Sequence, residues 1–114
     1  MTNSWQDLAA RCEGADPTGP IWEIDGDMAP LVGFRARMPW TADMNRIVAL
    51  IEERLPGRPW DVARDPYIER GIYRGRVGTL VCGKGWMRVH GFAATPALAL
   101  CAAFCRAMAE RGRS

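Results

Sequence analysis

Two hydrophobic periods run along this chain, and together they divide it into elements. Near the start, Trp5, Leu8, Ala9 and Cys12 recur at i, i+3, i+4 and i+7, which is one face of an α-helix. Ser4 is suited to cap that helix, and Asp7 places a carboxylate in its first turn, where the helix dipole favours negative charge. The run Gly14-Ala15-Asp16-Pro17-Thr18-Gly19-Pro20 breaks it. Ile21, Ile24, Met28 and Leu31 then repeat at helical spacing across Gly26 and Pro30, which predicts a short, imperfect helix ending before Pro30. Between Gly33 and Pro39, Phe34, Ala36 and Met38 alternate with Arg35 and Arg37, the pattern of a short strand or of an extended approach to the next helix. That helix is expected over 42–54, capped by Thr41, with Met44, Ile47, Val48, Ile51 and Leu55 as its buried stripe. Pro56-Gly57 stops it.

The middle of the chain switches to period two. Trp60 and Val62 alternate with Asp61 and Ala63. Ile72–Arg76 and Val77–Cys82 read as short β-prone runs punctuated by Gly71, Gly75 and Gly78. Gly83-Lys84-Gly85 reads as a hairpin turn, and Trp86–His90 alternates again and closes at Gly91. The final helix has the clearest signature. Thr95 caps it, Pro96 occupies the first helical position, and 96–109 is almost wholly apolar or small, with Arg106 and Arg111 toward its negative end. A helix apolar nearly all round is buried on more than one side, so it should lie between the sheet and another helix. The expected architecture is α+β, an α/β sandwich: a small antiparallel sheet packed by N-terminal, central and C-terminal helices in a single domain, 1–114.

Composition narrows the class without naming a function. The 114 residues are 48% hydrophobic and 25% charged, which excludes wholesale disorder. No apolar run approaches the roughly eighteen residues of a bilayer span. The N-terminus has neither a basic nor an apolar leader, so a cytoplasmic protein, monomer or homodimer, is expected. The net charge of +2 conceals a segregation. Residues 1–34 hold only Arg11 against Asp7, Glu13, Asp16, Glu23, Asp25 and Asp27, a net of −5, whereas residues 35–90 carry +5. Such a chain either has a dipolar surface that steers charged partners or simply pairs its two halves.

Catalytic and metal chemistry finds little support. Cys12, Cys82, Cys101 and Cys105 form no Cys-x-x-Cys pair, and His90 is the sole histidine, so zinc spacing is absent and no cofactor is expected. Cys101 and Cys105, one helical turn apart among apolar neighbours, read as small buried hydrophobes. Cys82 and His90 could face one another across the hairpin, but no third group to orient them is evident. Gly83-Lys84-Gly85 lacks the spacer of a phosphate loop.

Two binding surfaces stand out instead. Glu23, Asp25 and Asp27 form an acidic patch, read as a solvated helix face or a partner contact. Arg70, Arg74, Arg76, Lys84 and Arg88 interleave with Tyr73 and Trp86. On paired strands Arg74 and Arg76 share a face, as do Trp86, Arg88 and His90. Such a face can grip a nucleic-acid backbone and stack bases, or it is the solvated side of an antiparallel sheet. The α-β-β-β-α order also matches double-stranded-RNA-binding domains, but Thr95-Pro96-Ala97-Leu98 has none of the charge that starts their last helix.

The closing segment Ala93-Ala94-Thr95-Pro96-Ala97-Leu98-Ala99-Leu100-Cys101-Ala102-Ala103 resembles that of the phage ABA sandwich domain family, small bacteriophage and prophage proteins with an α/β sandwich fold. The opening Asp7-Leu8-Ala9-Ala10-Arg11-Cys12-Glu13 and the central Leu55-Pro56-Gly57 followed by Trp60 are similar to that family as well. Residues 61–92 are richer in arginine than its pattern. The resemblance implies the fold and a phage origin, and transfers no functional residue. The resulting expectation is a non-enzymatic phage accessory protein of the bacterial cytoplasm that acts by binding a host protein or nucleoprotein complex. It would inhibit a defence complex in the manner of an anti-CRISPR protein, with the acidic patch imitating phosphates. The alternative is a nucleic-acid-binding module that uses the arginine and aromatic face.

Overall fold

The computed structural model describes residues 4–35, 38–64, 72–81 and 85–111. In chain order the elements are α1 (Ser4–Gly14), α2 (Trp22–Met28), a 3-10 turn (Ala29–Val32), α3 (Met44–Arg54), β1 (Trp60–Arg64), β2 (Tyr73–Val81), β3 (Gly85–Ala93) and α4 (Pro96–Arg111). The strands form an antiparallel sheet in the order β1-β2-β3. The fold is therefore α+β, with helices packed against the sheet.

Local chemistry sets most boundaries. Asp16 closes the turn after α1 by accepting from both the backbone N–H and the hydroxyl of Thr18, at 2.9 and 2.7 Å. Pro30 ends regular α-helix near Met28, and Gly33 finishes the 3-10 turn at φ +79°, where its N–H reaches the carbonyls of Ala29 and Pro30. No strand occurs among the described residues of 33–39. Thr95 caps α4 as expected, its hydroxyl accepting from the Leu98 N–H at 3.2 Å.

Three expectations need correction. Asp43, and not Thr41, caps the central helix: its carboxylate accepts from the Asn45 N–H at 2.9 Å. Tyr73 to Val81, spanning both predicted runs, form one strand, β2, which passes through Gly75 and Gly78 without a break; Cys82 lies outside the described residues. Gly91 does not end β3, which continues through Phe92 to Ala93. A glycine lowers β-propensity, so in the sequence these positions look like interruptions. Here Gly75 and Gly91 face one another across the ladder, beneath α4. A Cβ on Gly75 would lie 2.6 Å from the Ala99 carbonyl oxygen, and one on Gly91 would lie 2.5 Å from it. The two glycines are the flat ground on which the helix backbone rests.

Helix α4 is the centre of the molecule. It lies on all three strands on one side and against α1 and α3 on the other; α3 reaches the sheet only through it. Leu98 to Cys105 are all buried, as are Leu8, Ala9 and Cys12 of α1 and Ile47, Leu50 and Ile51 of α3. Trp5 packs edge-on against Phe104, with ring centroids 5.8 Å apart. The all-round apolar character of α4 thus reflects burial between two layers.

Candidate nucleic-acid interface

Side chains on a strand alternate between the two faces of its sheet, so the register fixes what lies opposite α4. Val77, Gly75, Gly91 and Ala93 belong to the helix-covered face. The other parity then forms two rows across the three strands: Asp61, Arg76 and His90, and Ala63, Arg74 and Phe92. Arg88, exposed and paired with Gly78, extends the same face. Among the described residues, the open face therefore gathers three arginines, one carboxylate, an imidazole and a phenyl ring.

The charges on this face are organised. Arg76 grips Asp61 with two hydrogen bonds, Nε to Oδ1 at 2.7 Å and Nη2 to Oδ2 at 2.5 Å. Both side chains keep contact with water, at 27% and 39% exposure, so the pair orients Arg76 without hiding it. Hydrogen bonding from Arg76 holds the Asp61 carboxyl below its ordinary value, with Arg88 and Arg74 adding to the effect. His90 is shifted down as well, first by partial burial and then by the fields of Arg74, Arg76 and Arg88, which outweigh Asp61. Its ring stacks beside that of Phe92, with centroids 6.1 Å apart and planes inclined by 16°.

The outer edge of β3 is held from behind. The Phe92 N–H donates to Glu13 Oε2 at 2.9 Å, and the His90 carbonyl accepts from Arg106 Nη1 at 2.7 Å. Glu13 and Arg106 are themselves bonded through both carboxylate oxygens. Burial pushes the Glu13 carboxyl up, but Arg106 and the Phe92 N–H outweigh it and leave the group lowered. One carboxylate from α1 and one guanidinium from α4 thereby satisfy two edge groups of the strand, which also blunts that edge against pairing with another chain.

The sequence-predicted residues fare unequally. Arg74, Arg76 and Arg88 come together on this face. Trp86 lies in the ladder opposite Leu80, outside the residues whose side chains are described, and Arg70 lies outside the described residues altogether. The acidic patch does not survive as a patch. Asp25 is buried at 3% exposure and accepts from the Thr41 N–H at 2.9 Å and the Thr41 hydroxyl at 2.8 Å. It ties α2 to the segment before α3, because a buried carboxylate must find donors. Asp27 is paired with Arg11 at 2.5 Å, and Glu23 is exposed. Sequence reading missed Phe92 and Asp61. Both follow the parity of Arg88 and Arg76, and the assumed stop at Gly91 hid the first.

Other chemistry is sparse. Cys12, Cys101 and Cys105 share the core at 0% exposure. Hydrogen bonds from the thiols of Cys101 and Cys105 pull Cys12 down, to about 5. Burial, and then Cys12, pushes Cys101 up; contact with Cys12, and then burial, raises Cys105. Sealed from solvent, these thiols serve packing. Cys82, weighed as a partner for His90, lies outside the described residues, and His90 pairs with Arg76. Among the described residues no group of three or more His, Cys, Asp and Glu side chains could hold a metal ion, and no helix is long and apolar enough to cross a membrane. A cleft of about 350 Å³ between α1 and α2 is lined by Arg11, Asp16 and Glu23 with glycine and apolar neighbours, and it brings no nucleophile and base together. No family model, curated protein or solved structure matches the chain.

Proposed function

We propose that this protein acts by binding and not by catalysis, and that its ligand is a nucleic acid held on the open face of the sheet. The observation that carries this reading is the convergence of Arg74, Arg76 and Arg88 on one face, where Asp61, the carboxylate among the described residues there, is bonded to Arg76 and orients it. Guanidinium groups suit phosphate oxygens because their planar fork donates two parallel hydrogen bonds. The phage accessory role implied by the sequence resemblance fits this reading if the protein acts on the nucleic-acid component of a host defence complex. Phosphate imitation by the acidic segment is the weaker route, since burial removes Asp25 from it.

Binding through three phosphate contacts should weaken with salt at a log–log slope of about −2 to −3. Titration of the protein with labelled oligonucleotides at several salt concentrations measures that slope. Arg88→Ala should weaken binding to every sequence alike and reduce the slope by a little under one unit. Failure of the wild-type protein to bind DNA or RNA at low ionic strength would exclude the reading.

A further inference from the structure

We propose that the open face takes a single strand and not a duplex, with His90 and Phe92 as the platform on which its bases stack. This rests on the reading of that face as a nucleic-acid interface, and it adds the kind of ligand and the residues that select it.

Phe92 is the first reason. It is a large apolar side chain, partly buried, yet among the described residues it stands apart from the hydrophobic core that gathers Trp60, Tyr73 and Val89 from the same sheet. By register it stands with Arg74 and Ala63 on the side away from α4. A phenyl ring among arginines on an open sheet face is poorly explained by packing, and well explained by a flat ligand. His90 stands two residues before it on the same face, with its ring nearly parallel. In a duplex the flat surfaces of the bases are occupied by one another, whereas unpaired bases can lie on protein rings.

The second reason is independent of the rings. The backbone groups fixed by Glu13 and Arg106 are those of the two ring-bearing residues: the Phe92 N–H and the His90 carbonyl. α1 and α4 therefore set the height and direction of the platform before any ligand arrives. Preorganisation of this kind lowers the entropic cost of binding. Glu13 and Arg106 are positioning residues here, since they touch the strand and not the ligand. Arg74 pairs with Phe92 and Arg76 with His90 across the ladder, which puts an arginine next to each ring-bearing residue for the phosphate that follows a stacked base.

The test compares a labelled oligothymidylate with a duplex of equal length by fluorescence anisotropy at low salt. The wild-type protein should bind the single strand at least about tenfold more tightly than the duplex. Phe92→Leu keeps an apolar side chain of similar bulk but removes the ring face. It should cost about tenfold in single-strand affinity and leave duplex affinity unchanged. His90→Gln, at a partly exposed position, should act in the same direction and does not depend on the tolerance of position 92. Circular dichroism confirms that both variants fold. If duplex and single strand bind equally and neither substitution matters, while Arg88→Ala still weakens binding, the platform is refuted and the nucleic-acid interface stands. If neither nucleic acid binds, both proposals fall.

Discussion

Glu13 shows how much a single residue can be asked to do. It receives the Phe92 N–H and the Arg106 guanidinium at a partly buried position, and its side chain is 24% exposed. Hydrogen bonds to charged groups contribute about 1.5–3 kcal/mol each, so Glu13→Gln should destabilise the fold by about 2 kcal/mol near neutral pH. Because the folded protein lowers the carboxyl below its ordinary 4.5, the stabilisation is fully present above that value. It is lost as pH falls through the folded pKa. Urea unfolding of both proteins near neutrality and below about pH 4 measures this, and the gap between them should close in acid. Asp25 is the contrasting case. In sequence it is indistinguishable from Asp27, two positions away, yet one is buried against Thr41 and the other pairs with Arg11 near the surface. Helical periodicity would have placed Asp25 beside the apolar Ile24, but whether donors wait there depends on a segment sixteen residues further along the chain.

At the scale of elements, the helices were read well and the glycine-bearing strands less so. The stripe Trp5, Leu8, Ala9, Cys12 faces the core, and Thr95-Pro96 opens α4 as its capping chemistry requires. Those signals are local, carried within one or two turns. Gly75, Gly78 and Gly91 were ambiguous because a glycine in a strand either interrupts it or marks a close approach of another backbone. The arrival of α4 decides this for Gly75 and Gly91, and the close approach of Pro59 decides it for Gly78. The contact is tight enough to test. Gly91→Ala would drive a methyl group to within 2.5 Å of the Ala99 carbonyl oxygen and 2.6 Å of the Ala102 Cβ. Against backbone in a packed core, overpacking should cost about 3 kcal/mol. A drop in the midpoint of thermal or urea unfolding checks this, and a neutral result would mean that α4 can lift away from the sheet.

The whole molecule resolves the charge segregation that the sequence left open. Among the described residues, the ion pairs do not simply join the acidic front to the basic middle. Glu13 pairs with Arg106 of the C-terminal helix, Arg11 pairs with Asp27 within the front, and Arg76 pairs with Asp61 inside the basic segment. The sheet face is left rich in guanidinium groups. His90 stands among them, with Arg74 and Arg76 on β2, Arg88 on its own strand and Asp61 on β1, and with Arg106 of α4 bonded to its carbonyl. Partial burial, and then the fields of the neighbouring arginines, hold its pKa below the ordinary imidazole value in the free protein. Phosphates docked on this face would favour the charged imidazolium, raise that pKa and draw in a proton. Single-strand affinity should therefore rise as the pH is lowered from neutrality at constant ionic strength. In His90→Gln that dependence should be largely lost.

The sequence by itself determined the helices, the strand-forming middle and the α+β class, because periodicity and capping act between residues a few positions apart. It also supplied the arginines, though not their arrangement. Which residues share the open face, why Asp25 is withdrawn from the acidic segment, and how Glu13 and Arg106 come to hold the strand bearing His90 and Phe92 were decided by tertiary structure alone. Each depends on partners far apart in the chain, 79 residues in the case of Glu13 and Phe92. Packing of α4 between the sheet and the helices is what brings such partners together.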